Sequence, residues 1–334
     1  MAAKFAPEQR VRVRADYPPG FLRTPYYCRG KVGTVERVLP ALVNPEESAY
    51  GRAAGPKKVL YRVRFAMRDL WPDYAGSGND AVEIEILEHW IEPADLPSSP
   101  RPSGERGRGC GEETAVSHSH DHDHAGPPVH PKQPDTEDSP MGYYERLSVA
   151  VRELLTEKGL LTPEEVRRQI ELIDSRSPVL GSRVVARAWV DADFRKRLLG
   201  DGSAAVGELG VTMYDGTRLV VLENTPRVHN VVVCTLCSCY PRSVLGLPPD
   251  WYKSREYRSR AVREPRALLA EFGTVIPEGV EVRVHDSTSV LRYLVLPLRP
   301  AGTEGWTEEQ LAGLVTRDSM IGVAVVKHPQ GAGA

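Results

Sequence analysis

At 334 residues the chain is long enough for two domains of ordinary size. Its 43 basic and 45 acidic residues leave a formal net charge of -2, which excludes an electrostatic case for nucleic acid or an anionic membrane. It has no run of the ~18 apolar residues that a membrane-spanning helix needs, and its first residues lack the apolar core of a secretory signal, so a soluble cytoplasmic protein is expected.

From Ala6 to about Asp95 the pattern alternates with period two. Val11 and Val13 alternate with Arg12 and Arg14, while Val59, Tyr61, Val63 and Phe65 alternate mainly with Arg62 and Arg64. Val82, Ile84 and Ile86 alternate with Glu83 and Glu85. Apolar side chains on one face and charge on the other are what half-buried antiparallel strands require. Turn residues separate the runs at Pro18-Pro19-Gly20, Gly30, Gly33 and Gly76-Ser77-Gly78-Asn79. A small β-barrel over residues 1–96 is the expectation.

Residues 97–140 change character. Pro, Ser, Gly, charge and His replace the apolar periodicity, and the run His118-Ser119-His120-Asp121-His122-Asp123-His124 appears. Such a segment buries too little apolar surface to fold, so a disordered Pro/Ser/His-rich linker is expected. Imidazoles alternating with carboxylates bind Zn, Ni or Co loosely. The run therefore reads either as a metal-capturing segment that feeds a site elsewhere or as a solubilising linker.

Helical spacing begins after Tyr143, with Leu147, Val151 and Leu154 on one face. Thr162-Pro163-Glu164-Glu165 then supplies an N-cap, a proline at the first helical position and a capping-box glutamate. These two helices are expected to pack their apolar stripes on a neighbouring domain, and Val184 to Trp189 and Phe194 to Gly202 are assigned to packing. Val282-Arg283-Val284 and Arg292 to Leu296 alternate as strands, and Thr307 to Gln310 is a second capping box. The fold class predicted for the whole is α+β, with a mixed α and β domain over residues 141–330.

Three of the five cysteines fall in one stretch, Cys234-Thr235-Leu236-Cys237-Ser238-Cys239, directly after the apolar run Val231-Val232-Val233. A buried strand that turns at its end brings such side chains to one point. The C-x-x-C-x-C spacing offers three soft thiolates, which suit zinc, an iron-sulfur cluster or a transition metal. A fourth donor must come from elsewhere, because Cys28 and Cys110 are remote in sequence, and backbone groups of the turn are the nearest candidates. Five cysteines, three of them clustered, fit a metal site better than a disulfide framework.

The segment Leu222 to Pro241, with Cys234-Thr235-Leu236-Cys237-Ser238-Cys239-Tyr240-Pro241 at its end, resembles the claw of the nitrile hydratase α subunit and the thiocyanate hydrolase γ subunit. The resemblance implies a non-corrinoid Co(III) or a low-spin Fe(III) held by Cys234, Cys237 and Cys239 and by the deprotonated backbone amides of Ser238 and Cys239. It also implies a sulfinate at Cys237 and a sulfenate at Cys239. Threonine after the first cysteine is the cobalt-type pattern, so Thr235 points to cobalt, although a β-branched residue completing a strand reads equally well. The N-terminal residues Arg23 to Thr34 and Phe65 to Tyr74 resemble the SH3-like C-terminal half of the β subunit. In that family arginines of the β-type partner bond the oxygens of the oxidised cysteines. Arg23 is the first choice for that role and Arg29 the second, a solvated charge being the ordinary alternative for either.

The chain thus reads as a fusion of a β-type half to an α-type subunit, and a separate subunit resembling the missing N-terminal β half is the expected partner in a hetero-oligomer. A cobalt activator protein is a further expected partner. The implied activity is hydration of a nitrile to an amide, with Cys239 as nucleophile or base and Ser238 shaping the pocket. Arg242 stands where nitrile hydratases generally have tryptophan. Its charge suits an anion, which makes thiocyanate hydrolysis to carbonyl sulfide and ammonia the alternative. A non-catalytic zinc-binding or metal-storage protein is the reading from another class.

Overall fold

The computed structural model describes residues 3–16, 18, 22–51, 55–95, 141–214 and 216–327. It divides into two compact units, Met1–Ser99 with Ile173–Ala334, and Pro100–Leu172. The histidine run and Cys110 lie outside the described residues.

The first unit is mixed α and β. Its strands are β1 (Arg10–Val13), β2 (Val32–Leu42), β3 (Lys58–Ala66), β4 (Ala81–Leu87), β5 (Ile91–Pro93), β6 (Arg218–Glu223), β7 (Val228–Val233), β8 (Glu281–Asp286) and β9 (Leu291–Leu296). Seven of them form one sheet in the order β5-β1-β2-β3-β4-β8-β7, and β6 and β9 pair separately. The alternating N-terminal runs are strands, but the expected closed barrel is replaced by an open sheet. The reason is the far edge of β4, which is taken by β8 in parallel register from Ala81↔Arg283 to Ile84↔Asp286. Backbone groups used in that ladder are not available to close a barrel. The N-terminal strands and the C-terminal strands therefore share one sheet, and the core is continuous across the seam.

The charged face of β3 and β4 also differs from expectation. Arg62, Glu83 and Glu85 are buried, at 4%, 2% and 4% exposure. Antiparallel register sets Arg62 opposite Glu85 and Arg64 opposite Glu83, so charges of opposite sign neutralise one another across the strands. Arg62 Nε donates to Glu85 Oε1 at 3.0 Å and Nη2 to the Tyr293 hydroxyl at 3.1 Å, and Tyr293 donates to the same glutamate. His285 joins through its bond with Asn230 Oδ1 at 2.8 Å. A face that alternation alone assigns to solvent is thus covered by β9.

Burial pushes Glu85 up to about 7, against the opposing pull of Arg62. The folded chain therefore holds this proton more tightly than the unfolded chain, whose glutamates titrate near ~4.3. Its contribution to stability is full below that value and is lost as pH rises toward 7. Glu85→Gln is expected to remove the step, gaining up to about 3 kcal/mol over the parent between acid and neutral pH in urea unfolding. Parallel pH profiles that coincide for the two proteins would show that Glu85 does not titrate there.

In the second unit the helix Tyr143–Glu157 and most of the helix Pro163–Asp174 are exposed on every side. The predicted capping box is formed, since Thr162 N–H donates to Glu165 Oε2 at 2.8 Å and Glu165 N–H to Thr162 Oγ1 at 3.2 Å. Leu147, Val151 and Leu154, the residues of the expected apolar stripe, are 45%, 47% and 48% exposed. By contrast, Val184, Val185, Ala188, Phe194 and Leu198 are core residues of the first unit. The second C-terminal capping box, Thr307 with Gln310, opens the helix Glu308–Ala312.

Candidate metal centre

The site is built where β7 ends. Val228 to Val233 is a run of β-branched residues broken only by His229 and Asn230, and all but Val228 are buried. The ladder stops at Val233, whose carbonyl accepts from Ser287 N–H at 2.6 Å. Val232 O accepts from the Tyr257 hydroxyl at 2.6 Å, also from outside the strand. The chain then turns through the cysteine stretch. Cys234 and Cys239 are buried and Cys237 is exposed.

The three Sγ atoms lie within 4.8 Å of one another. Cys234 to Cys237 is 3.4 Å and Cys237 to Cys239 is 3.2 Å. Sulfurs ~2.3 Å from a common ion are ~3.3 Å apart at right angles and ~3.8 Å apart at tetrahedral angles. Two of the three edges are therefore near the right-angle value, and the third is within 4.8 Å. Hydrogen bonds from Cys234 and Cys239, with the charge of Arg23 adding, hold the Cys237 thiol well below the usual range. The same bonds and burial push Cys234 up.

Three groups clamp the turn from outside it. Asp286, at the end of β8, accepts from Thr235 N–H at 2.9 Å, from Thr235 Oγ1 at 2.6 Å and from the Tyr27 hydroxyl at 2.8 Å. Arg258 donates to Cys237 O at 3.1 Å and Thr235 O at 3.4 Å. The Tyr252 hydroxyl donates to Cys239 O at 2.8 Å. Tyr27 stacks on Trp71 at 6.1 Å, and Trp71 donates to Val262 O at 2.6 Å, so the N-terminal half takes part in the support. Burial pushes the Asp286 carboxyl up to about 6 in spite of its donors.

Of the two candidate arginines, Arg23 is the one whose charge acts on Cys237. Its backbone N–H is fixed by Glu46 Oε1 at 2.8 Å. Arg29 braces the loop instead. It donates to Thr24 O from Nε at 3.1 Å and from Nη2 at 2.7 Å, and its guanidinium lies 5.0 Å over the Trp90 ring. Cys28 is buried, with its thiol directed to Pro25 O at 3.2 Å. Ser238, Cys237, Cys239 and Arg242 line one cavity of about 430 Å³, together with Tyr214 and Arg292. A larger cleft of about 1070 Å³ walled by Arg68, Asp73, Arg260 and Arg263 contains none of the thiols.

The sequence alone does not mark Asp286, Tyr27, Arg258, Tyr252 or Arg292 as site residues. Tyr27 sits inside the matched segment beside Arg23, and that nearness is its only signal. The others lie 13 to 53 residues beyond Cys239 with no local motif.

Three cysteine sulfurs gathered at a strand end, on the wall of a cavity, form a group that could hold a metal ion. The family described as the nitrile hydratase alpha chain matches residues 142–324, and the family described as the C-terminal part of the nitrile hydratase beta chain matches residues 1–93. The low-molecular weight cobalt-containing nitrile hydratase subunit alpha of Rhodococcus rhodochrous is 55% identical over 181 residues, 54% of this chain and 87% of that one. The nitrile hydratase subunit beta of Rhodococcus erythropolis is 37% identical over 91 residues, 27% of this chain and 42% of that one. A solved structure of recombinant thiocyanate hydrolase with partially modified cobalt centres superposes with a TM-score of 0.54 at 46% identity, covering 56% of this chain and 92% of that one. The chain belongs to the nitrile hydratase alpha-chain family, a family of enzymes. Its N-terminal residues are related to the beta chain of the same system. Among the described residues, no helix is long and apolar enough to cross a membrane.

Proposed function

We propose that the chain hydrates a C≡N triple bond, nitrile to amide, at a cobalt centre held by Cys234, Cys237 and Cys239 with the backbone nitrogens of Ser238 and Cys239. The observation that carries this reading is the convergence of three cysteine sulfurs within 4.8 Å, two of whose residues, Cys237 and Cys239, line the cavity with Arg242 and Arg292. Cobalt(III) bound there supplies a Lewis acid that polarises a nitrile or acidifies water. Thr235 favours it over Fe(III) by the pattern of the resemblance.

The residues of the chain then divide the work. Cys239, buried except for an edge on the cavity, would act when oxidised to the sulfenate either as the base that takes a proton from water as the water oxygen bonds to the nitrile carbon, or as the nucleophile whose oxygen bonds to that carbon and is then displaced by water. Protonation of the nitrogen and tautomerisation give the amide. Arg23 supports the oxygens of oxidised Cys237 and Cys239 through its paired donors. Ser238 keeps the turn and offers a hydroxyl to the cavity.

Residues 1–96 form an SH3-like β-type half in this reading, 97–140 a linker and 141–330 the α-type catalytic part. The assembly is a hetero-oligomer, supported by relatives that are themselves subunits and by the exposed apolar face of the helix Tyr143–Glu157. A separate polypeptide resembling the N-terminal β half covers that face and completes the pocket, and a cobalt activator protein loads the centre.

Arg242 and Arg292 on the cavity wall support a second reading, thiocyanate hydrolysis, because two cations favour an anionic substrate. Arg242→Trp is expected to lower the ratio of thiocyanate to nitrile turnover by about tenfold, the loss of one charge-assisted hydrogen bond of ~1.5 kcal/mol. An unchanged ratio would remove Arg242 from substrate choice. The test of the function itself is metal analysis and intact mass on chain produced in cobalt medium with its partner, with parallel assays on acrylonitrile and thiocyanate. Cobalt with oxygen added to the cysteines supports the enzyme. Zinc with no added oxygen would establish the storage or structural alternative.

A further inference from the structure

The helix Arg255–Arg263 packs beside β7 and carries four arginines. Its start is fixed by Ser254, whose Oγ accepts from Tyr257 N–H at 3.1 Å. Two of its arginines meet carboxylates, Arg260 with Glu264 and Glu271, and Arg263 with Asp73. Arg266, just beyond it, meets Asp80. Arg258 is different.

Its Nε donates to Ser254 O at 3.3 Å and its Nη1 to Cys237 O at 3.1 Å and Thr235 O at 3.4 Å. All three acceptors are neutral carbonyls, and among the described residues no carboxylate stands within 4.0 Å of this guanidinium. This half-buried cation is set against carbonyl dipoles and, like Arg255 at the exposed start of the helix, has none of the carboxylate partners that Arg260 and Arg263 have.

We propose that Arg258 is a positioning residue of the metal centre, one that gathers the Thr235 and Cys237 carbonyls on one guanidinium and supplies positive charge to a thiolate-rich claw. The inference rests on the metal reading above. It has two physical parts. The two carbonyls lie one residue after Cys234 and at Cys237 itself, so fixing both holds the turn between the first two sulfurs. The Cys237 carbonyl also belongs to the peptide whose nitrogen is that of Ser238. If that nitrogen binds the ion, the charge delocalised onto the carbonyl oxygen falls directly against Arg258.

The test compares the full chain with Arg258→Gln and Arg258→Lys. Cobalt affinity is measured by chelator competition, the sulfur-to-cobalt band by visible absorption, and fold stability by melting of the metal-free chains. Arg258→Gln is expected to bind cobalt ~10- to 100-fold more weakly, the range seen when an outer partner of a metal ligand is lost. Its metal-free melting temperature should stay within a few degrees of the parent, as for substitution of a half-exposed side chain. Arg258→Lys should recover part of the affinity through charge, though one ammonium cannot reproduce the two-carbonyl geometry. Parental affinity and absorption in Arg258→Gln would overturn the proposal. So would a loss of affinity that is matched by the metal-free melting temperature and not relieved by lysine. A parent chain that binds no cobalt would instead overturn the metal reading on which it rests.

Discussion

Cys237→Ser is expected to yield a folded chain that holds no cobalt and has no hydration activity. Cys237 is exposed, so exchanging its sulfur for oxygen should move metal-free stability by no more than ~0.5 kcal/mol. At the centre the effect is of another order. The Cys237 sulfur lies 3.4 Å from one partner and 3.2 Å from the other, so both short sulfur contacts of the trio pass through it. Its removal leaves two sulfurs and a hydroxyl, a hard and weakly acidic donor that suits a transition metal poorly. Affinity should fall by more than the ~100-fold that loss of an outer partner costs. Metal analysis and intact mass check the result together, since the variant should carry neither cobalt nor the mass of added oxygen. Cobalt retained at the parental level would place the ion elsewhere in the chain.

The spacing that makes this prediction possible was legible in the sequence, because C-x-x-C-x-C after a β-branched run is a local signal with a local structural result. The strands of the N-terminal half were legible for the same reason. Their closure was not. Period two says that Ala81 to Leu87 is a strand, but its far-edge partner, Glu281 to Asp286, is about 200 residues later in the chain. Alternation also misassigned Glu83 and Glu85 to solvent, since a periodic pattern cannot distinguish a wet charged face from one whose charges are paired and covered. The stripe of Leu147, Val151 and Leu154 marks a helix face without saying what covers it. Arg23 and Arg29 differ only by register on either side of Tyr26 and Tyr27, and only coordinates separate the arginine whose charge reaches Cys237 from the one that braces Thr24. Arg258 and Asp286 act through backbone groups of the turn, and a backbone acceptor leaves no mark on residue type.

Asp286→Ala is the second change expected to have a large effect, and it bears on the joining of the two halves as well as on the centre. The carboxylate is 1% exposed and accepts three hydrogen bonds, two from Thr235 and one from Tyr27. Alanine leaves one partly buried amide and two partly buried hydroxyls to find new partners, at ~1–3 kcal/mol for each that fails, so a loss of about 3 kcal/mol is expected in denaturant unfolding. Asp286→Asn should cost much less. Its carbonyl still accepts from the Thr235 amide, and its NH2 donates to the Thr235 or Tyr27 oxygen once that hydroxyl rotates. Tyr27→Phe separates the two functions of the clamp, because it deletes the bond from the N-terminal half and leaves both Thr235 bonds in place. It should cost ~1 kcal/mol and keep its cobalt. Asp286→Ala should lose cobalt, since Thr235 is then free to swing and the turn that carries the sulfurs has lost its anchor on β8. If the alanine variant keeps cobalt at the parental level, the turn is held by Arg258 and Tyr252 without Asp286, and the carboxylate serves only to tie Tyr27 across the seam between β4 and β8.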